Sequence, residues 1–100
     1  MLDINKAKEG DKLTLEISGR LDTTTAPELE ASIKEDIGDV KELVIDLSNL
    51  DYISSAGLRV LLSAQKTMMK QGSMVVTHPN DVISEIFEVT GFSDILTIEQ

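Results

Sequence analysis

No cysteine occurs in this 100-residue chain, so it builds no disulfide, no thiolate metal site and no cysteine nucleophile. That usage fits a reducing compartment, and a cytoplasmic protein is expected. Tryptophan is absent and aromatic residues make up 3% of the chain, so its core has to be aliphatic. The one histidine, His78, cannot build a histidine metal site, and the carboxylates fall in no recognisable ligand spacing. No metal or cofactor is therefore expected. No apolar run approaches the roughly 18–20 residues that a membrane span needs, and Met1–Lys6 alternates polar and apolar residues without a signal-peptide core. Glycine-rich phosphate cradles of the nucleotide-binding kinds are missing as well. Positive charge is scarce: 9 Lys and Arg against 18 Asp and Glu leave a net charge of −9. Such a balance repels nucleic acid and favours a basic protein partner or, more simply, solubility.

What is present is one small domain's worth of aliphatic pattern, with 41% hydrophobic residues and no repeat, linker or low-complexity segment. Leu2 and Ile4 alternate with polar neighbours, Glu9-Gly10-Asp11 offers a turn, and Leu13, Leu15 and Ile17 alternate again, which predicts a hairpin. Thr23-Thr24-Thr25-Ala26-Pro27-Glu28 reads as a helix start, with a threonine as cap and proline in the first turn. Ala26, Leu29, Ile33 and Ile37 carry the apolar stripe, and Gly38 ends the helix. Leu43–Leu47 form an apolar strand that calls for cover on both faces. A polar turn follows over Asp51–Gly57, then a helix from Ala56 to Gly72 with Arg59, Ser63, Lys66 and Lys70 on its polar face. Met74–Val76 make a short strand. Asn80 caps a third helix carrying Val82, Ile83, Ile86 and Phe87, closed by Gly91, and Ile95, Leu96 and Ile98 add an edge strand or a tail. The order predicts an α/β single domain, a mixed sheet of four to five strands with an N-terminal hairpin and packed helices.

Loops leaving the carboxyl ends of parallel strands gather on one edge of such a sheet, where α/β domains place their function. The turn before the second helix brings Ser54 and Ser55 there. Either serine serves as N-cap of that helix, worth about 1 kcal/mol, and a helix start also accommodates an anion. Gly57 permits close backbone approach, to the protein's own core or to a partner. A serine hydrolase made from Ser55, His78 and Asp46 is a weak competing reading, because no Gly-x-Ser-x-Gly elbow is present. His78 as a plain strand-end residue beside Pro79 is the simpler one.

The run Val44-Ile45-Asp46-Leu47-Ser48 followed by Tyr52-Ile53-Ser54-Ser55-Ala56-Gly57-Leu58-Arg59-Val60-Leu61-Leu62 resembles the signature of STAS domains, in particular the bacterial anti-sigma-factor antagonists. Gly19-Arg20-Leu21-Asp22, Gly72-x-Met74-Val75-Val76 and Ile86-Phe87-x-x-x-Gly91 match further parts of that pattern. The resemblance implies a non-catalytic binding module. It implies as partners an anti-sigma factor that is also a serine kinase of the histidine-kinase-like ATPase fold, and a metal-dependent serine phosphatase. Aligned on Gly57, the phosphoacceptor is Ser55; the pattern's preceding Asp is replaced by Ser54 and its following Ser/Thr by Ala56. Partner contacts are then expected from Asp22, Thr23, Thr24, Ser54, Ala56, Gly57, Leu58 and Arg59, the last either reaching the phosphate or solvated. The alternative the resemblance leaves open is an accessory subunit of a lipid-transport ABC complex, in which Ser55 is only a cap.

Overall fold

The computed structural model describes residues 2–100. Its strands are β1 (Leu2–Glu9), β2 (Lys12–Leu21), β3 (Glu42–Ile53), β4 (Ser73–Thr77) and β5 (Ile98–Glu99). Its helices are α1 (Ala26–Asp36), α2 (Ser55–Gln71), α3 (Asp81–Thr90) and the single turn α4 (Phe92–Ile95). The five strands lie side by side in chain order. β1 and β2 pair antiparallel across Gly10, whose φ of 59° supplies the left-handed turn that a tight hairpin requires. The remaining pairs are parallel.

This order decides where the helices go. Each parallel crossover is right-handed by the twist of its strands, and each steps in the same direction across the sheet. α1, α2 and α3 therefore fall on one face. Beneath them Leu13, Leu15 and Ile17 of β2, Leu43, Ile45 and Leu47 of β3, and Met74 and Val76 of β4 make an aliphatic core. Leu29, Ile33, Leu61, Met68, Ile83 and Phe87 close it from the helices. The expectation of cover on both faces is corrected: Val44 and Val75 point to the other face and stay half-buried.

The β3 boundary is also corrected. The expected turn from Asp51 is strand as far as Ile53, and Ser54 alone joins it to α2. Glu16 faces Asp46, Ser18 faces Asn49 and Arg20 faces Tyr52, so β3 carries one extra residue at each of two bulges. Those insertions move the buried positions from Leu43, Ile45 and Leu47 to Leu50 and Ile53. The broken alternation imitates a loop.

Elsewhere the boundaries shift slightly. α1 stops at Asp36 and tightens into a 3-10 turn over Ile37–Asp39, with Gly38 inside it. Thr25 occupies the N-cap position of α1, but its hydroxyl makes no cap bond. Val82 is exposed on α3, and Ile95 lies in α4. Gly72 is needed for space, since a Cβ there would collide with the Lys41 carbonyl.

Candidate functional site

The carboxyl ends of β2 and β3 are tied together where the Ser54 N–H donates to the Leu21 carbonyl at 2.8 Å. From that joint the chain leaves β2 into α1's approach and leaves β3 into α2. The β2 exit is a closed hydrogen-bond network. The Asp22 Oδ1 accepts from the N–H groups of Thr24 and Thr25, each at 3.0 Å. The Thr25 hydroxyl accepts from the Asp22 N–H and donates to the Arg20 carbonyl, both at 2.8 Å. Thr25 is buried, and it holds the loop from inside. The Thr25 N–H bond, with help from the Thr25 hydroxyl and Thr24 and against some desolvation, holds the Asp22 carboxyl below its ordinary value of 3.8.

The β3 exit is a helix cap. Ser54 is extended, its Oγ accepts from the Gly57 N–H at 3.4 Å, and its carbonyl accepts from the Leu58 N–H at 3.0 Å. Ser54 thus caps α2, and Ser55 becomes the helix's first residue, one position earlier than expected. Ser55 is exposed. The first turn of α2 carries no acidic residue, so the positive end of a 17-residue helix faces it uncompensated.

The two exits meet on the surface. Thr23, Pro27 and Glu30 from the α1 side, with Ala56, Arg59 and Val60 from α2, line an open groove of about 200 Å³. Of the expected contact residues, Thr23, Ala56 and Arg59 line this groove, Asp22 and Thr24 belong to the β2 exit, and Ser54 and Ser55 are the cap and first residue of α2. Gly57 and Leu58 do not face outward: both are buried. A Cβ on Gly57 would stand 2.6 Å from the Leu21 side chain and 2.9 Å from that of Ile53, so this glycine lets α2 settle on the strand ends. Its close approach serves the core. From the sequence, Thr25 and Pro27 read only as parts of a helix start and Glu30 as an acid favouring that helix's dipole; none of the three was expected at the site. The Asp22-x-x-Thr25 spacing before Pro27 is the signal that could have marked the first of them.

The hydrolase constellation does not assemble. His78 Nδ1 and Asp46 Oδ1 stand 3.6 Å apart, where β3 pairs with the end of β4. Ser55 lies beyond Leu47–Ile53, a strand segment about 20 Å long at roughly 3.3 Å per residue.

Comparison with known proteins agrees with this architecture. The STAS domain family model matches residues 3–100. The anti-sigma-B factor antagonist of Listeria monocytogenes is 33% identical over 98 residues, covering 94% of this chain and 84% of the relative. The protein of the same name from Bacillus subtilis is 30% identical over 94 residues, covering 93% and 85%. An anti-sigma factor antagonist from Mycobacterium paratuberculosis superimposes with a TM-score of 0.90 at 24% identity, over 99% of this chain and 86% of that one. Unphosphorylated SpoIIAA, also an anti-sigma factor antagonist, gives 0.84 at 16% identity, over 98% and 89%. At those identities the structural likeness speaks for the fold alone. The family match and the relatives' identity together decide the question: this chain belongs to the STAS domain family.

Proposed function

We propose that the protein is an anti-sigma factor antagonist, a cytoplasmic, non-catalytic module that binds an anti-sigma serine kinase and is released by phosphorylation of Ser55. The observation that carries this reading is the division of labour between the paired serines. Ser54 commits its hydroxyl to the α2 cap, and Ser55 stands exposed at the first helical position. The names of the relatives from Listeria monocytogenes and Bacillus subtilis support the antagonist role. A second structure of SpoIIAA is of its phosphorylated form, and this chain superimposes on it with a TM-score of 0.77.

A phosphate on Ser55 adds about −1.5 to −2 charges at a helix N-terminus, where the dipole favours it. The fold tolerates the mark. A partner docked flush on the groove and turns does not, because burying a phosphate without matched cations costs several kcal/mol, about a hundredfold in affinity or more. Release follows from that difference, and a metal-dependent phosphatase resets the module. Phosphotransfer from a histidine-kinase-like ATPase, read by mass spectrometry, tests the reading: one phosphate on Ser55 is expected. Efficient modification of Ser54 instead, or capture by transporter subunits in place of a kinase, would sink it.

A further inference from the structure

Because every crossover steps the same way, the helices among the described residues lie on one face, and those residues leave the other face of the sheet bare. Largely parallel sheets are nearly always covered on both faces. The strand register orders what this bare face presents. One row across all five strands reads Asn5, Glu16, Asp46, Thr77 and Glu99. The neighbouring row reads Ala7, Thr14, Val44 and Val75. Val44 and Val75 are half-buried, and together with Lys12, Glu42 and Glu99 they help to line an open hollow of about 330 Å³.

The charges on this face are not settled within the molecule. Glu16 stands opposite Asp46, two acids side by side across strands, with Asp46 steadied by the Ser48 N–H at 2.9 Å and by His78. Among the described residues, no Lys or Arg comes within 4.0 Å of Glu16, Glu42, Asp46 or Glu99, and Asp46 has only His78. The nearest cations of the edge strand turn away: Lys6 and Lys8 pair with Asp36 and Asp39 on the helix side. Lys12 stands opposite Glu42 at one end of the hollow, so the acids left without a facing Lys or Arg are Glu16, Asp46 and Glu99, and with the apolar centre they define the complement of this face.

We infer that the bare face docks a basic amphipathic helix of a protein partner, with aliphatic side chains on the Val44–Val75 row and Lys or Arg against Glu16, Asp46 and Glu99. A helix is the layer that covers a sheet face in α/β domains. A second copy of this chain would set acid against acid, and the net charge of −9 repels nucleic acid and anionic lipid. The surface shares no residue with the α1–α2 groove, so this inference goes beyond the Ser55 switch and does not depend on it.

The test is fluorescence anisotropy of the full chain with a labelled Leu/Lys amphipathic peptide of about 18 residues, or five helical turns. Binding is expected, and the combined Glu16→Gln, Asp46→Asn and Glu99→Gln variant should weaken it about tenfold or more. A control with the same net charge, Glu28→Gln, Glu85→Gln and Glu88→Gln on the helix side, should lose less than about twofold. Val44→Ser with Val75→Ser should also weaken binding, with folding confirmed by circular dichroism, and Ser55→Asp should leave it unchanged. No binding, equal loss in both charge variants, or a dimer buried on these residues in sedimentation would each overturn the inference.

Discussion

Ser54, Ser55 and Gly57 occupy four consecutive positions with Ala56, and each does a different thing. Ser54 caps through a bond of 3.4 Å, long for a hydroxyl acceptor. Ser54→Ala is therefore expected to cost stability at the low end of the cap range, about 0.5–1 kcal/mol, read from the midpoint of urea unfolding. Gly57→Ala is a heavier change. The new methyl meets Leu21 and Ile53 at 2.6 and 2.9 Å, and both are buried strand-end residues. Overpacking of that kind costs about 1–3 kcal/mol, and α2 should ride outward, loosening the Ser54 cap with it. A Gly57→Ala protein as stable as wild type would show that the strand ends yield freely.

At the scale of elements, Asn80 connects α3 to the sheet. Its Oδ1 accepts from the Ile83 N–H at 2.8 Å, and its Nδ2 donates to the Leu50 carbonyl at 3.1 Å in the bulged half of β3. Asn80→Ala removes a cap and leaves that carbonyl short of a donor, so a loss of about 1–3 kcal/mol is expected. Asn80→Asp should keep the cap and lose the strand contact, recovering part of the stability; equal losses in both would place its whole contribution in the Leu50 contact, and an undiminished Asn80→Asp would confine it to capping. The same stretch of β3 explains what could and could not be read from the chain. Helix starts at Pro27 and Asn80, the Gly10 turn and the strand cores follow local rules, and they stand where those rules put them. The second half of β3 does not, because two bulges break its period and disguise Ser48–Ile53 as a loop. Which of the paired serines caps and which opens the helix was left between the two, but the pair was legible as a helix start. The role of Thr25 was not, because its partners are backbone groups that only the fold brings to it.

For the whole molecule, acidity bears on the stability profile and on the kind of partner proposed. Asp22, Asp39 and Asp46 are all held below the ordinary carboxylate value of 3.8. For Asp22 the Thr25 N–H is the main cause, and for Asp39 it is the bond from Lys8. At Asp46 partial burial pushes upward, but the Ser48 bonds and His78 outweigh it. Each binds its proton more tightly in the unfolded chain than in the folded one. Their contribution is therefore complete above the unfolded value and is lost as pH falls through the lower folded values. Urea midpoints measured from about pH 5 down to pH 2 should fall below the unfolded value, and Asp22→Asn should flatten part of that limb. An unchanged acid limb in Asp22→Asn would mean that the β2 exit melts before Asp22 titrates. With a net charge of −9, association with a basic partner should also slow as salt is raised, because the steering field is screened.

The division between a capping Ser54 and an addressable Ser55 is tested most directly by the affinity of an anti-sigma kinase for three forms of the protein. Ser55→Ala should bind as wild type does and accept no phosphate. Ser55→Asp, and wild type after phosphorylation, should keep their unfolding midpoints while affinity falls about a hundredfold. Tight binding by the phosphorylated protein, or a Ser55→Asp variant that unfolds, would contradict a switch built on the start of α2.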